Sequence, residues 1–248
     1  MSSKRILADY DNELVRATAE KLAGKEVSPR KKLEKIFYFV RDEIVFAFPA
    51  KGDLVKASET IKSGKGQCNT KSALFLALCK AAGIPARIHF SLIRKEIQKG
   101  LFTGLAFRIM PDLISHSWIE VEVEGSWRRI DSFINDEDFY LAGKVKLKEQ
   151  NWDTGYSIAC SSSESSAAFS VDEEKFVQMD AVVDDHGYWN EPADYYTTDL
   201  YQNRPGFLTL LVYRFLIFGI NRKVKSMRKS CKSGLCRGYV YESVPVSE

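Results

Sequence analysis

A strand–turn–strand pattern around position 120 is the feature that most constrains the fold of this 248-residue chain. Small and apolar residues at the odd positions from 117 to 123 alternate with His116, Trp118, Glu120 and Glu122. This alternation is typical of a strand that packs one face against a core. Glu124-Gly125 fits a two-residue turn, because glycine tolerates the positive φ that such a turn requires. Residues 127–131 supply the returning strand, so the pattern predicts an antiparallel hairpin.

The length of that turn decides which side chains share a face of the hairpin. With a two-residue turn, Val123 faces Ser126 and Trp118 faces Asp131. His116 then lies one pleat diagonally from Asp131 on the same face, which is within reach of side chains. A three-residue turn would reverse this parity, so the pairing of His116 with Asp131 depends on the turn.

The chain before the hairpin has helical patterns. Residues 11–23 predict a helix that ends at Gly24. Ser28 and Pro29 are suited to cap and begin a second helix, whose predicted core face is Leu33, Ile36, Phe37, Val40 and Ile44. A third helix is predicted from Cys68 to about residue 82, and a strand over residues 87–90 follows it. Residues 91–113 have no clear pattern, and we interpret them as an excursion placed to cover a cleft.

Composition indicates an ordinary globular chain, with 45% apolar and 28% charged residues. This balance excludes a collagen-like or wholly disordered protein. The net charge of +3 hides an uneven distribution: residues 222–237 hold seven Lys or Arg and no acid, whereas residues 172–199 hold nine acids and one Lys. The basic tail could contact nucleic acid, acidic lipid or the chain's own acidic segment. No aromatic residues are interleaved with its charges, so the nucleic-acid signal is weak.

The sequence shows neither a targeting signal nor a membrane span, and we therefore expect a cytoplasmic protein. No stretch reaches the ~18 apolar residues of a spanning helix, and no apolar core of a signal peptide follows the first basic residues. The 14-residue apolar run at 207–220 would span about 21 Å as a helix; it predicts a buried core helix, with an interfacial helix as the second choice. Five cysteines without a secretory signal predict free thiols.

Cys68 is the first candidate for chemistry. A thiol at a helix start lies at the positive end of the helix dipole, which lowers its pKa and favours the nucleophilic thiolate. An imidazole must take the proton and a carboxylate must orient that imidazole, and His116 and Asp131 suit these roles. Each residue alone has a plainer interpretation, since a lone buried Cys is usually a small apolar residue.

Four segments together resemble the transglutaminase-like superfamily of bacterial and archaeal type. They are Gly66-Gln67-Cys68 at a helix start, Ala81-Ala82-Gly83-Ile84-Pro85-Ala86-Arg87, His116-Ser117-Trp118-Ile119-Glu120-Val121, and Trp127-Arg128-Arg129-Ile130-Asp131. The resemblance covers about residues 33–131. It implies a papain-like Cys-His-Asp triad in which Cys68 is the nucleophile, His116 the general base and acid, and Asp131 the orienting carboxylate.

The resemblance also implies an α+β fold in which the Cys68 helix packs on an antiparallel sheet carrying His116 and Asp131. The sequence departs from the animal transglutaminases, because Asn69 stands where they have Trp and no calcium-loop pattern is present. These departures argue against protein crosslinking more than against thiol chemistry. We divide the chain into a catalytic domain, residues 1–160, and a C-terminal extension, residues 161–248, packed on it.

The predicted function is thiol-dependent acyl chemistry on a peptide or other amide substrate, with hydrolysis favoured over acyl transfer. Gln67 and Trp118 are candidates for oxyanion or substrate contacts, although the Gln67 side chain could equally point to solvent. We expect no cofactor and no metal. The alternative is a catalytically silent transglutaminase-like module that binds or acts as a scaffold, and activation of Cys68 would distinguish the two.

Overall fold

The computed structural model describes residues 6–159, 165–202, 204 and 206–236 of the chain. Its helices are α1 (Glu13–Ala23), α2 (Pro29–Tyr38), α3 (Ala57–Ser63), α4 (Cys68–Ala81), α5 (Gly104–Arg108), α6 (Glu137–Gln150), α7 (Pro192–Tyr195) and α8 (Phe207–Ser230). Its strands are β1 (Val45–Phe46), β2 (Lys65–Gly66), β3 (Ala86–Arg94), β4 (Leu113–Val123), β5 (Ser126–Ile130), β6 (Thr154–Gly155), β7 (Ile158–Ala159) and β8 (Val182–Trp189). The fold is mixed α/β with an antiparallel sheet.

The first helices begin where side chains can cap them. Asn12 accepts a hydrogen bond from the Leu14 backbone N–H at the start of α1, and α1 ends at Gly24. Ser28 caps α2 and Pro29 occupies its first turn, where the missing proline N–H costs no hydrogen bond. The predicted core face of this second segment is confirmed, because all five of its side chains are at most 2% exposed.

The main sheet has the strand order β5-β4-β3-β8, and all neighbours are antiparallel. Glu124 and Gly125 both have positive φ, 54° and 78°, and Val123 pairs with Ser126. The predicted hairpin and its two-residue turn are therefore confirmed. The strand β8 comes from beyond residue 160 and pairs with β3. The division of the chain at residue 160 stays a prediction.

Among the described residues, part of strand β4 has no neighbouring strand on the side where the predicted site lies. Strand β5 pairs with β4 only from Ile119 to Val123, whereas β3 pairs with β4 along residues 113–121. Residues 113–118 of β4 therefore have a strand on one side only. Helix α4 packs beside β4 at this point, and its side chains from Ala73 to Cys79 are buried in the core.

The apolar run near the C-terminus does not form the predicted buried helix. It is the first part of α8, and five of its apolar side chains are 36–76% exposed: Leu211, Val212, Phe215, Leu216 and Phe218. The reason is that α8 lies on the outside of the fold and buries one stripe, consisting of Ile217, Ile220, Val224 and Met227. No helix in the described part of the chain is long and apolar enough to cross a membrane.

The pairing of the cysteines also differs from expectation. A disulfide joins Cys231 to Cys236, so the prediction of free thiols is wrong for this pair, while Cys68 and Cys79 are free. The chain turns back at Gly234, where φ is 115°, and this brings the two cysteines together. Cys160 lies outside the described residues.

Two cations of the basic tail pair within the chain, but not with the acidic segment at 172–199. Arg228 pairs with Asp136 and Lys232 with Asp138, and both acids belong to the start of α6. Acids of the 172–199 segment pair with other cations, for example Asp172 with Arg30 and Glu174 with Arg129.

Candidate active site

Helix α4 starts at Cys68 because the residues before it cap the helix. The Gln67 side-chain carbonyl accepts the Asn69 backbone N–H at 2.9 Å, and the Thr70 hydroxyl accepts the Gln67 backbone N–H at 3.0 Å. A Cβ on Gly66 would lie 2.7 Å from the Thr70 hydroxyl oxygen, so this close turn requires glycine. The Gly-Gln-Cys sequence thus places the thiol at the first residue of α4.

The first turns of α4 lie along the edge of β4 that β5 leaves open. Asn69 Nδ2 lies 3.4 Å from Ser115 Oγ and 3.5 Å from the Ser115 carbonyl oxygen. Ser72 Oγ donates to the Ser117 carbonyl at 3.2 Å. Since His116 lies between these two serines, the contacts bring the Cys68 end of α4 to the backbone that carries His116.

His116 is fully buried on the other face of β4 from Ser115 and Ser117, since neighbouring side chains alternate. Its ring centroid is 6.0 Å from that of Trp118. Neither ring nitrogen has a hydrogen-bond partner among the described residues, and the same holds for the hydroxyl of Ser91, its pairing partner on β3. Burial lowers the pKa of His116 to about 3, so its imidazole is neutral at pH 7.

Asp131 is fully buried directly after β5. Its two carboxylate oxygens accept the backbone N–H groups of Val177 and Gln178, both at 2.7 Å. Burial raises the pKa of Asp131 to about 7, and these N–H groups act against that rise. Among the described residues no hydrogen bond joins Cys68, His116 and Asp131 to one another, so their roles as a triad stay a prediction.

A second set of polar contacts surrounds the thiol. Cys68 Sγ donates to Gln67 Oε1 at 2.8 Å, and Gln67 Nε2 donates to Asp53 Oδ1 at 2.6 Å. The Tyr201 hydroxyl donates to the other Asp53 oxygen at 2.9 Å. Gln67 is 7% exposed and thus does not point to solvent. Its carbonyl faces the thiol, and its amino group is already bound to Asp53.

Burial is the main influence on the Cys68 thiol, and it raises the pKa. The neighbouring Asp53 carboxylate also raises it, whereas the backbone N–H groups of Asn69, Ser117 and Cys68 lower it. The expectation of a depressed thiol pKa is therefore wrong for this structure. The helix terminus does favour the thiolate, but the effect of an anion and a poorly hydrated position is larger.

Removing the charge of Asp53 is expected to make Cys68 more reactive. In Asp53→Asn the carboxylate that disfavours the thiolate is gone, and a fall of one pKa unit corresponds to about tenfold more thiolate. We therefore expect about tenfold faster iodoacetamide labelling of Cys68 at pH 8, measured by peptide mass spectrometry. Glu59→Gln, at a partly exposed acid paired with Lys51, is the matched control. Equal labelling rates in the two variants would contradict the effect.

Trp118 packs beside the predicted site on the His116 face of the sheet. It is 3% exposed and stacks on His89, with centroids 4.2 Å apart. His89 also contacts two carboxylates, Glu120 at 2.8 Å and Asp185 at 2.5 Å. The Trp118 ring is enclosed by these neighbours. Substrate contact by Trp118 therefore stays a prediction.

The two histidines on this face are expected to shift stability in opposite directions with pH. Burial works against protonation of His89, but Glu120 and Asp185 outweigh it and raise its pKa. The stabilisation of the fold by protonated His89 is thus present below about pH 6.5 and is lost at higher pH. Burial lowers the His116 pKa to about 3, so stability is lost as pH falls from about 6.5 toward 3.

Calorimetric Tm values of His89→Gln and His116→Leu between pH 4 and 8 test this expectation. The deficit of His89→Gln relative to the wild type should be larger at pH 5 than at pH 8. The Tm of His116→Leu relative to the wild type should rise as pH falls. Parallel pH profiles for the two variants would be inconsistent with the assigned pKa directions.

The thiol opens onto a cavity of about 350 Å³. The cavity walls are mainly apolar and aromatic, with Phe48, Phe102, Met110, Ile114 and Tyr213 among them. Its polar lining includes Cys68, Gln67, Asp53 and Gln98, together with Ser115, Tyr201, Gln202, Arg204 and Thr209. Gln98, Phe102, Met110 and Pro111 belong to the segment that we interpreted as an excursion over a cleft, and this segment does line the cavity. Within the described residues no cluster of three or more His, Cys, Asp or Glu could hold a metal ion.

The candidate site residues lie in a part of the chain that matches a protein-family model. Residues 16–132 match the model of the transglutaminase-like superfamily. This segment of the chain is similar to the transglutaminase-like superfamily. The matched residues include Cys68, His116 and Asp131. The transglutaminase-like match ends before α6, β8 and α8, although these elements complete the core and the cavity.

Two solved structures are also similar to the chain. One is described as "a Putative Cysteine Protease from Cytophaga hutchinsonii", with 17% identity, a TM-score of 0.45, and coverage of 77% of this chain and 46% of the other. The second is described as "a Putative Protease from Parabacteroides distasonis", with 17% identity, a TM-score of 0.35, and coverage of 50% and 25%. This chain thus spans less than half the length of either. No curated protein matches the chain.

Proposed function

We propose that the protein is a thiol-dependent amidase or peptidase with Cys68 as its nucleophile. The observation that carries the proposal is the position of Cys68. It is the first residue of α4, lines the cavity, and lies against the open edge of β4 that carries His116. Its place within the transglutaminase-like match supports a catalytic thiol over a structural one.

The proposed reaction begins when the Cys68 sulfur attacks the carbonyl carbon of an amide in the cavity. His116 takes the thiol proton as the C–S bond forms and gives it to the leaving nitrogen as the C–N bond breaks. The backbone N–H of Cys68, at the helix start, is the proposed donor to the oxyanion. Water then attacks the thioester with His116 as base, which releases the acid and restores the thiol.

The pKa directions define how the first step proceeds. Because burial raises the pKa of Cys68 and lowers that of His116, the thiol and the imidazole are both neutral at pH 7. The proton must therefore move during attack, as in serine enzymes, instead of resting on a preformed imidazolium. His116 has both ring nitrogens free of partners in the described chain, so substrate binding must bring its ring to the sulfur.

We favour hydrolysis over acyl transfer because nothing in the sequence indicates a site that would bind an amine acceptor beside the thioester. Both reactions use the same residues up to the thioester. The acceptor that enters the cavity, water or a primary amine, decides which product forms.

Capture by peptidyl vinyl sulfones tests the proposal. These probes react slowly with any accessible thiol and much faster with an activated one when their peptide part occupies the adjoining cleft. We expect an adduct on Cys68, none on the buried Cys79, and at least about 100-fold slower capture in His116→Ala, within the range of general-base effects. Amide cleavage with and without added glycine amide then distinguishes acid from transfer product by mass.

The silent-module alternative is favoured by one observation, the absence of hydrogen bonds among Cys68, His116 and Asp131 in the described structure. Under that alternative, vinyl sulfones would label Cys68 no faster than a free thiol of equal exposure. Labelling would also be indifferent to His116→Ala. That pair of results would overturn the enzymatic proposal.

A further inference from the structure

The outer face of α8 is unusually apolar for an exposed helix. Leu211, Phe215 and Phe218 follow one another at three- and four-residue intervals, and Val212 and Leu216 lie beside them. Phe215 is 76% and Phe218 68% exposed. Scattered apolar side chains are common on protein surfaces, but a continuous stripe of this kind marks a contact site. We call these five residues the apolar stripe.

Positively charged residues follow the apolar stripe on the same face of α8, toward its C-terminal end. Arg222 lies four residues after Phe218, Lys225 lies seven after it, and Lys229 lies seven after Arg222, so all three follow the stripe along the helix. Lys223, Lys225 and Lys229 are exposed, and among the described residues none of them forms an ion pair with a carboxylate. Their charge is therefore available to an anionic partner.

We propose that α8 docks on an anionic lipid surface, with the apolar stripe at the headgroup–acyl boundary. Arg222, Lys223, Lys225 and Lys229 then lie at the level of the anionic headgroups. An apolar stripe joined to exposed Lys and Arg on one helix is the pattern of an interfacial helix. The helix lies on the bilayer and does not cross it, because the apolar run at 207–220 covers about 21 Å of a hydrocarbon core of about 30 Å.

A second copy of the chain fits this face less well than a lipid surface. Five side chains bury far less than the roughly 800 Å² per partner of a stable dimer. The unpaired lysines would also have no acidic counterpart on an identical α8, whose described sequence from Phe207 to Ser230 contains no Asp or Glu. Anionic lipid satisfies the apolar stripe and the basic residues together.

Docking would not disrupt the rest of the fold. The buried side of α8 is held by Asn221, which exchanges two hydrogen bonds with the Phe48 backbone, and by Arg228, which binds Asp136. Thr209, Leu210 and Tyr213 of the same helix line the cavity that contains Cys68. The cavity would then open close to the bilayer, but the docking proposal does not depend on catalysis.

Vesicle flotation with the full chain tests the proposal. The probes are vesicles of phosphatidylcholine alone and vesicles containing about one third phosphatidylglycerol. We expect binding to the anionic vesicles that weakens as salt increases. The double variant Phe215→Ser/Phe218→Ser should bind more than about tenfold more weakly, and Lys223→Gln/Lys225→Gln about fivefold more weakly for each lysine removed. Leu105→Ser, at a 71% exposed position on α5, is the matched control and should bind normally.

Circular dichroism confirms that each variant is folded, and sedimentation velocity reports self-association. The proposal is overturned if the folded wild type stays with the buffer, or if it binds neutral and anionic vesicles equally. It is also overturned if Phe215→Ser/Phe218→Ser abolishes a dimer, since the stripe would then contact a second copy. Binding that appears only after deletion of residues 237–248 would show that this segment covers the stripe, and would overturn it too.

Discussion

Cys68→Ala is expected to reduce amide hydrolysis by roughly 10⁴-fold or more, the range found when a nucleophile is removed from a catalytic triad. The reason is that no other described cysteine can replace it: Cys79 is buried within α4, and Cys231 and Cys236 are joined to each other. The measurement is turnover of the best peptide amide found by product analysis. Since Cys68 is only half-buried, the fold should tolerate the smaller side chain.

Cys79→Ala is the matched control for that prediction, because it removes a sulfur from the same helix without touching the cavity. We expect nearly unchanged turnover and a modestly lower Tm, since a buried atom is lost from the core. If Cys68→Ala and Cys79→Ala retained equal activity, the nucleophile would have to lie elsewhere. If neither the wild type nor the variants cleaved any amide, the silent module would be favoured.

Arg228→Met is expected to cause the largest loss of stability, about 3–5 kcal/mol. Arg228 donates to both oxygens of Asp136, at 2.7 and 2.6 Å, and to the Phe46 carbonyl at 3.0 Å. Asp136 is 4% exposed, so its carboxylate would be left in the core with one cation fewer. The nearby Lys71 is a poor substitute, because burial lowers its pKa to about 7. Urea unfolding measures the loss.

Arg222→Met, at an exposed position of the same helix, is the control and should change stability by less than about 0.5 kcal/mol. Acidification gives a second check. Burial acts to raise the pKa of Asp136, but Arg228 outweighs burial and lowers it. The pair therefore stabilises the fold above about pH 4 and loses this effect at lower pH, so the two variants should converge in acid. An equal loss in both at pH 7 would contradict a buried ion pair.

The sequence predicted the features that depend on short stretches of chain. The two-residue turn at Glu124-Gly125 and the core face of α2 follow from periodicity and glycine chemistry. The start of α4 at Cys68 was indicated by the glycine that precedes it in the Gly66-Gln67-Cys68 segment, whereas the capping role of Gln67 was not predicted. Each of these involves residues within a few positions of one another, so a local pattern is sufficient to predict it.

The contacts around the thiol could not be predicted in this way. Asp53 lies 14 residues before Gln67, and Tyr201 lies 148 residues after Asp53, so no spacing indicates their hydrogen bonds. The sign of the Cys68 pKa shift depends on Asp53 and on burial, and was therefore missed as well. The exposure of α8 was missed for a related reason, since composition shows that a helix is apolar but not which neighbours cover it.

The pairing of β8 with β3 has a consequence for how much of the chain can fold independently. In a chain that ended at residue 132, β3 would lose its outer neighbour, and its unpaired backbone groups would form a template for aggregation. Both backbone partners of the Asp131 carboxylate, Val177 and Gln178, would be missing too. The segment that matches the family model thus lacks contacts that hold β3 and Asp131 in the described structure. Ribosomal synthesis must pass β8 before the sheet closes, so the site forms late and through contacts that are distant in sequence.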